Sequence, residues 1–120
     1  MSEAKKDRIG YMPEERGLYQ EAPLETCLVY LGTLKGLTGK EAGRRLLPYL
    51  ERFDLAAHRT KRVRELSKGM QQKAQLIATL LHAPDLIIID EPFSGLDPVS
   101  TRQVKRLLDE QRQAGKSILM

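Results

Sequence analysis

The sequence LIIIDEPFSGLDP occupies residues 86–98 and decides the fold class. Its first four residues, Leu86–Ile89, form the longest purely aliphatic run in the chain. Such short continuous runs are typical of strands that are covered on both faces of a parallel sheet. Asp90 and Glu91 follow directly, and ligands bind parallel sheets at the carboxyl ends of the strands. The stretch therefore predicts a parallel α/β layer with two acids at its edge.

The residues after this stretch predict a helix and another strand. Asp97 followed by Pro98 is a favourable helix start, because aspartate caps the first turn and proline fits within it. The helix should run to about Ala114, where Gly115 provides a C-terminal stop. Residues 117–120 then begin a strand. A strand–helix–strand order is the unit from which parallel sheets are built.

Residues 8–53 predict one strand and two helices. Residues 8–12 read as a strand that Pro13 ends. A helix over residues 24–34 has a leucine stripe, and Thr38 with Glu41 forms a capping box for the next helix. Pro48 predicts a kink or an early end in that second helix. The stripe of the first helix is Leu24, Leu28, Leu31 and Leu34, and the apolar face of the second is Ala42, Leu46, Leu47, Leu50 and Phe53.

A third helix is predicted to begin at Ser67 and to end before Pro84. Its buried stripe would be Met70, Ala74, Ile77, Ala78 and Leu81, which follows helical spacing. The whole order is a strand, a helical insert and then strand–helix–strand. That order indicates an α/β layer that carries a helical subdomain.

Length, composition and charge limit the number of domains and the class of protein. The chain has 120 residues, one domain at most, with 41% apolar and 30% charged residues, ordinary values for a globular protein. No apolar run approaches the roughly 18 residues of a membrane span. Cys27 is the only cysteine, so no internal disulfide forms, and we expect a buried thiol in a reducing compartment. The net charge is +4, with four cations in residues 58–64; these form either a solvated loop or a nucleic-acid contact without aromatic stacking residues.

Two segments resemble ABC ATPases. Residues 86–98 closely resemble the Walker B segment and D-loop of that family. Residues 66–73, which read LSKGMQQK, resemble the ABC signature, whose common form is Leu-Ser-Gly-Gly-Gln. The chain departs from that form at Lys68 and Met70.

The resemblance implies roles for individual residues. Asp90 would hold Mg²⁺, which favours one or two carboxylates plus phosphate oxygens, and Glu91 would be the general base for an attacking water. At the helix N-terminus, where amides and the macrodipole favour an anion, the expected ATP-binding residues are Ser67, Lys68, Gly69, Met70 and Gln71. Asp97 is a further expected ATP-binding residue, and it would communicate across a dimer. Read without the family, the acids are two solvated side chains at a strand end, and Ser67 is a helix cap.

Residues 9–19 look like the segment that contains the Q-loop. The family's usual glutamine falls at Glu14, whose carboxylate could ligate Mg²⁺ or a water but cannot donate as an amide does. The run from Glu14 to Tyr19, EERGLY, resembles ATP-binding subunits of two-component bacterial exporters of the ABC-2 type. Glu14 is therefore a candidate both for ATP binding and for the metal.

The resemblance implies a partial P-loop NTPase core of the ABC type, α/β with parallel strands plus a helical signature subdomain. The expected divisions are 1–16 for the Q-loop strand and loop, 17–84 for the helical subdomain, and 85–120 for Walker B, the D-loop and the following helix and strand. No G-x-x-x-x-G-K-[ST] motif occurs, although that motif supplies the phosphate cradle and its lysine. We therefore expect a chain that binds ATP weakly or not at all alone, with apolar sheet surface exposed.

The first functional hypothesis is part of an ATPase subunit that couples ATP hydrolysis to membrane export. Its expected partners are ATP with Mg²⁺, a second ATPase subunit arranged head to tail, and a membrane-embedded subunit that docks on the helical subdomain. This places the chain in the cytoplasm at the inner face of the membrane, with no nucleic acid expected. The alternatives are a non-catalytic interaction module and a DNA-associated ATPase of the same superfamily, which the short helical insert without heptads disfavours.

Overall fold

The computed structural model describes residues 8–12 and 17–120. Three strands, Ile9–Met12 (β1), Leu86–Ile89 (β2) and Ser117–Leu119 (β3), form one parallel sheet in the order β1-β2-β3. The described residues also contain four α-helices, which are Leu24–Leu34 (α1), Gly39–Arg52 (α2), Lys68–Leu80 (α3) and Pro98–Gln113 (α4). Short 3-10 turns at Ala56–His58 and Val63–Glu65 connect α2 to α3. The α/β class with parallel strands is confirmed.

Local capping chemistry sets the helix starts where the sequence predicts them. The Thr38 hydroxyl accepts from the Glu41 amide at 3.0 Å while the Glu41 carboxylate accepts from the Thr38 amide, also at 3.0 Å. Ser67 caps α3 and Asp97 caps α4. The predicted stop of α4 is also present, because Gly115 has a φ of +91°, a conformation that glycine adopts at low cost.

Two details of the helical predictions are wrong. Of the kink or early end that Pro48 predicts, the early end is wrong, because α2 continues to Arg52. Burial of the apolar stripe of α2 against α1 outweighs the hydrogen bond that proline cannot make. Leu47 is 47% exposed and Leu34 is 58% exposed. Leu47 follows the buried Leu46 directly, and one helical step of about 100° turns it away from the core.

The α3 helix lies at the centre of the structure. It contacts both α1 and β1, and its seven residues from Gln71 to Ile77 are all buried. Four of these seven are polar or charged, namely Gln71, Gln72, Lys73 and Gln75. Buried polar groups require hydrogen-bond partners to offset their desolvation, so these side chains tie α3 to surrounding segments.

The sheet is covered on one face only, within the part of the chain that the structure describes. Ile87 and Ile89 are buried on one face of β2, while Leu86 and Ile88 are half-buried on the other. Tyr11 and Leu119 lie beside Ile88 on the same open face of the sheet, and each is 58% exposed. The aliphatic run alone predicts that β2 is covered on both faces, which is wrong for the described residues. The expected exposure of apolar sheet surface is present. None of the described helices is long and apolar enough to cross a membrane.

The contact between β1 and α3 depends on Gly10. A Cβ atom at this position would lie 2.7 Å from the backbone oxygen of Thr79 and 2.9 Å from a side-chain carbon of Pro84. The carbonyl belongs to α3, whose backbone cannot shift alone. Only glycine therefore allows the strand to lie this close to the helix.

We predict that Gly10→Ala lowers the free energy of unfolding by about 1–3 kcal/mol, the usual cost of overpacking. The matched control is Gly43→Ala in α2, where an added Cβ meets nothing within 4 Å. The control should raise stability by about 1 kcal/mol, because alanine favours a helix interior over glycine. Urea denaturation measures both changes. Equal effects of the two substitutions would contradict the close approach of β1 and α3.

Candidate functional site

The signature segment, Leu66–Lys73, forms the start of α3. The Ser67 hydroxyl accepts a hydrogen bond from the Met70 amide at 3.1 Å, so Ser67 is a true N-cap. Ser67 and Lys68 are exposed and Gly69 is half-buried. The first turn of α3 therefore presents its N-terminus at the surface, where helix amides and the macrodipole favour an anion.

The carboxylate segment, residues 90–97, folds against this helix start. A Cβ atom on Gly69 would lie 3.0 Å from the backbone oxygen of Gly95. Gly95 itself has a φ of +76°, and the side-chain carbons of Lys68 lie 3.3–3.6 Å from where its Cβ would be. Gly69 thus allows the close approach of the two backbones, and Gly95 adopts the left-handed conformation at low cost.

An open cavity of about 360 Å³ lies where the two segments meet. Its lining includes Ser67, Lys68, Gly69, Lys73, Gly95 and Asp97. Met70 and Ser100 complete the wall. The cavity therefore combines a helix N-terminus, a hydroxyl and two lysines with one carboxylate, a composition that suits an anionic ligand with several oxygen atoms.

Asp97 is held in its position by the start of α4. Its Oδ1 accepts from the Ser100 amide at 2.7 Å. The pKa of the Asp97 carboxyl is lowered, first by this backbone hydrogen bond and then by the Ser100 hydroxyl, with a smaller contribution from the charge of Lys73. Lys73 is buried and donates from Nζ to the Phe53 carbonyl at 2.9 Å, at the end of α2.

The two acids after β2 lie at the carboxyl edge of the sheet. The Asp90 amide donates to the Met12 carbonyl at 3.0 Å, so the ends of β1 and β2 are adjacent. Asp90 and Glu91 are both exposed. Glu91 has a φ of +55°, and its backbone oxygen accepts from Gln72 Nε2 at 2.8 Å. The signature helix is thus bonded directly to the second acid.

Comparison with known proteins identifies the family. The family model described as ABC transporter matches residues 1–94. The chain belongs to the ABC transporter family. It is 50% identical over 113 residues to the ABC transporter ATP-binding protein YhaQ of Bacillus subtilis, a match that covers 94% of this chain and 38% of YhaQ.

Two further relatives agree with this assignment. The ABC transporter ATP-binding protein NatA of Bacillus subtilis is 36% identical over 115 residues, which covers 95% of this chain and 47% of NatA. A solved structure described as an ATP binding subunit of an ABC transporter superposes with a TM-score of 0.84 at 38% identity, covering 93% of this chain and 47% of that one. The chain thus spans less than half the length of these ABC proteins.

The structure brings together most of the predicted ATP-binding residues. Ser67, Lys68, Gly69, Met70 and Asp97 all line the one cavity. Gln71 does not line it, because its side-chain amide turns away to the Val63 and Leu66 carbonyls at 3.0 and 3.2 Å. Asp90 and Glu91 lie outside the lining as well. Glu14 lies outside the described residues.

Sequence reasoning missed four residues of the site, namely Gln72, Lys73, Gly95 and Ser100. Lys73 follows Gly69 by four positions, and residues at this spacing share one helix face. That spacing could have placed Lys73 beside the anion site. Nothing comparable marks Gln72, because its partner is a backbone oxygen nineteen residues away along the chain.

Asp90 is the described residue to which the family resemblance assigns the metal. It supplies a single exposed carboxylate, and no group of three or more potential ligands occurs among the described side chains. Mg²⁺ is commonly held by one or two carboxylates with phosphate oxygens completing the shell. The donors present fit that type of site and do not form an all-protein cage.

The basic stretch over residues 58–64 is partly neutralised. Arg62 and Arg64 both approach the Glu21 carboxylate, at 3.7 and 3.3 Å. Arg59 and Lys61 are exposed. These ion pairs fit a solvated loop, and the nucleic-acid contact stays a hypothesis.

We predict that Asp97→Asn removes part of the pH dependence of stability. The folded-state pKa is lowered, so the carboxylate stabilises the fold at pH above the ordinary aspartate value of about 3.9 and loses this effect as pH falls through the lower folded-state pKa. Asparagine caps helices nearly as well as aspartate, so the helix should remain.

The measurement is the melting temperature of both proteins between pH 7 and about pH 2, a range that spans the aspartate titration. The wild type should melt higher near neutral pH, and the gap should narrow in acid. The comparison must be between variants, because the pKa values of Asp85 and Glu110 are lowered as well. A gap that does not change with pH would show that the charge of Asp97 contributes nothing.

Proposed function

We propose that this chain provides the signature face and the carboxylate edge of an ATP-hydrolysing subunit that drives membrane transport. The observation that carries the proposal is the cavity at the start of α3, where five of the predicted residues meet. Membership of the ABC transporter family adds ATP as the ligand. The anion-favouring helix start is suited to the terminal phosphate of a nucleotide.

In the proposed reaction a water attacks the γ-phosphorus of ATP. A phosphorus–oxygen bond forms to the water, the bond to the β-phosphate oxygen breaks, and ADP and phosphate leave. Glu91 accepts the proton of the attacking water, as a general base does. Mg²⁺ held through Asp90 would offset phosphate charge, and Ser67 with the first amides of α3 would bind phosphate oxygens.

The two parts of the chain would serve different nucleotides. In a head-to-tail dimer, the signature segment closes on ATP held by the second subunit, while Asp90 and Glu91 act on the ATP of their own half-site. Asp97 lies in the cavity wall beside the signature segment, which suits a role in communication between the sites. The P-loop that cradles the phosphates is not among the 120 residues.

A membrane-embedded subunit is the proposed transport partner. Apolar residues are exposed around α1, including Tyr30 at 49% and Leu34 at 58%. The Tyr19 ring contacts Tyr30 with 5.7 Å between centroids, and a smaller cavity of about 130 Å³ lies between α1, α3 and β1. Exposed apolar patches mark interaction surfaces. Docking there would hold the chain in the cytoplasm at the inner face of the membrane, and the EERGLY run at residues 14–19 favours an exporter of the ABC-2 type.

The same patch supports a second candidate, a module that binds a transporter subunit without hydrolysing ATP. This function needs the exposed surface of α1 but not the acids after β2. Substitution of Glu91 separates the two candidates. Loss of transport on Glu91→Gln supports the ATPase, whereas unchanged partner binding and transport would support the module.

We predict that the isolated chain folds but binds Mg-ATP no tighter than about millimolar, because the P-loop supplies most of the phosphate cradle. Titration calorimetry of Mg-ATP should give no resolvable heat, while a circular dichroism melt of the same sample shows a cooperative transition. Micromolar affinity that is lost on Asp90→Asn would contradict this and would make the chain a nucleotide-binding unit by itself.

A further inference from the structure

Glu91 has an unfavourable backbone conformation. Its φ of +55° is in the left-handed region, which costs a non-glycine residue free energy. It also precedes Pro92, and a residue before proline is normally confined to extended conformations. Such outliers persist only when surrounding contacts enforce them, and they cluster at functional sites. Some contact must therefore hold this residue.

That contact comes from the signature helix. Gln72 Nε2 donates to the Glu91 backbone oxygen at 2.8 Å. The same oxygen also accepts from the Ser94 amide, at a longer 3.4 Å. Gln72 is 7% exposed, so its side chain is fixed by packing, and its hydrogen bond to Glu91 is partly buried.

The position of Gln72 on α3 connects the two parts of the site. It lies one helical turn after Lys68, which lines the cavity, and directly before Lys73, which also lines it. A small shift of the first turns of α3 would therefore move the donor that holds Glu91. Its neighbour Gln71 points elsewhere, to the Val63 and Leu66 carbonyls.

We propose that Gln72 is the positioning residue for Glu91. Its side-chain amide fixes the left-handed backbone of Glu91 and so orients the Glu91 carboxylate. It also makes that orientation depend on whether a ligand occupies the cavity at the start of α3. The inference rests on the proposed function, in which Glu91 is the general base. Gln72 itself touches neither nucleotide nor water in this role.

The alternative is that Gln72 only satisfies a buried hydrogen bond. A purely structural role would lower stability without changing the turnover of the folded molecules. The test therefore uses Gln72→Met, which keeps the shape but cannot donate, and Gln72→Glu, which donates only when protonated. The control is Gln103→Met in α4, which loses side-chain hydrogen bonds to the Arg52 carbonyl and the Asp54 carboxylate at 3.4 and 3.2 Å and leaves the bond to Glu91 intact.

The first measurement is made on the 120-residue chain. In Gln72→Met the backbone carbonyl ¹³C resonance of Glu91 and the amide resonance of Ser94 should shift, while Gln103→Met should leave both in place. Unchanged Glu91 and Ser94 resonances in a folded Gln72→Met chain would overturn the proposal, because they would show that the glutamine does not hold this turn.

The second measurement is ATP turnover in a chimera in which residues 8–120 replace the matching segment of YhaQ. Gln72→Met should lower kcat between about 10- and 100-fold, the range expected when a reacting group is misplaced, with little change in KM. Gln103→Met should stay within about twofold. The ratio of the Gln72→Glu kcat to the wild-type kcat at the same pH should rise towards one as the pH falls, since the protonated carboxyl of the substituted side chain donates again.

Two outcomes separate the proposal from the function on which it rests. If Glu91→Gln abolishes turnover and Gln72→Met leaves kcat unchanged, the positioning role is overturned and the ATPase stands. If Glu91→Gln leaves the turnover of the chimera unchanged, the proposed function fails. A shifted Glu91 resonance in the Gln72→Met chain would then still support the hydrogen bond between Gln72 and Glu91.

Discussion

The structure depends on the buried polar side chains of α3. Each binds the backbone of a different segment, through the Gln72–Glu91, Lys73–Phe53 and Gln75–Gly17 hydrogen bonds at 2.8, 2.9 and 3.0 Å and the two bonds of Gln71. A buried polar group left unpaired costs about 1–3 kcal/mol. The four side chains thus fix where the neighbouring segments lie, and the apolar core around Ile77 and Leu76 fills the space between them.

This arrangement explains how distant stretches of sequence form one site. The signature segment begins α3, and the carboxylate segment follows β2. Gly69 against Gly95 brings the backbones together at one point, and Gln72 bonds to Glu91 at another. In the proposed dimer these two segments serve different nucleotides. In that proposed dimer, a single helix that contacts both segments would be a direct physical route by which binding at one half-site is sensed at the other.

The helix starts were predictable from residues that are close together in the sequence. The caps at Thr38, Ser67 and Asp97 were predictable because each involves residues three apart. The end of α2 was not, since burial of its stripe overrides Pro48. The conformation of Glu91 runs against the preference of a residue before proline, and it depends on a partner nineteen positions upstream.

Five of the eight residues that line the cavity were predictable from the family resemblance, whereas the directions of the α3 glutamines were not. Gln71 and Gln72 are adjacent and chemically identical, yet one binds the turn before α3 and the other binds the turn after β2. Only the packing around the helix distinguishes them. The open face of the sheet likewise depends on which elements lie beside it, a tertiary property that the aliphatic run at Leu86–Ile89 does not encode.

The most direct test of the central claim, that α3 and the carboxylate segment form one unit, is native-state hydrogen exchange under increasing denaturant. The amides of Asp90 and Leu96, which donate to Met12 and Phe93, are compared with those of Ala74 and Ile77 in α3. The account predicts one opening free energy and one denaturant dependence for all four, as in a cooperative unit. Opening of Asp90 and Leu96 at a much lower free energy than Ala74 and Ile77 would contradict it.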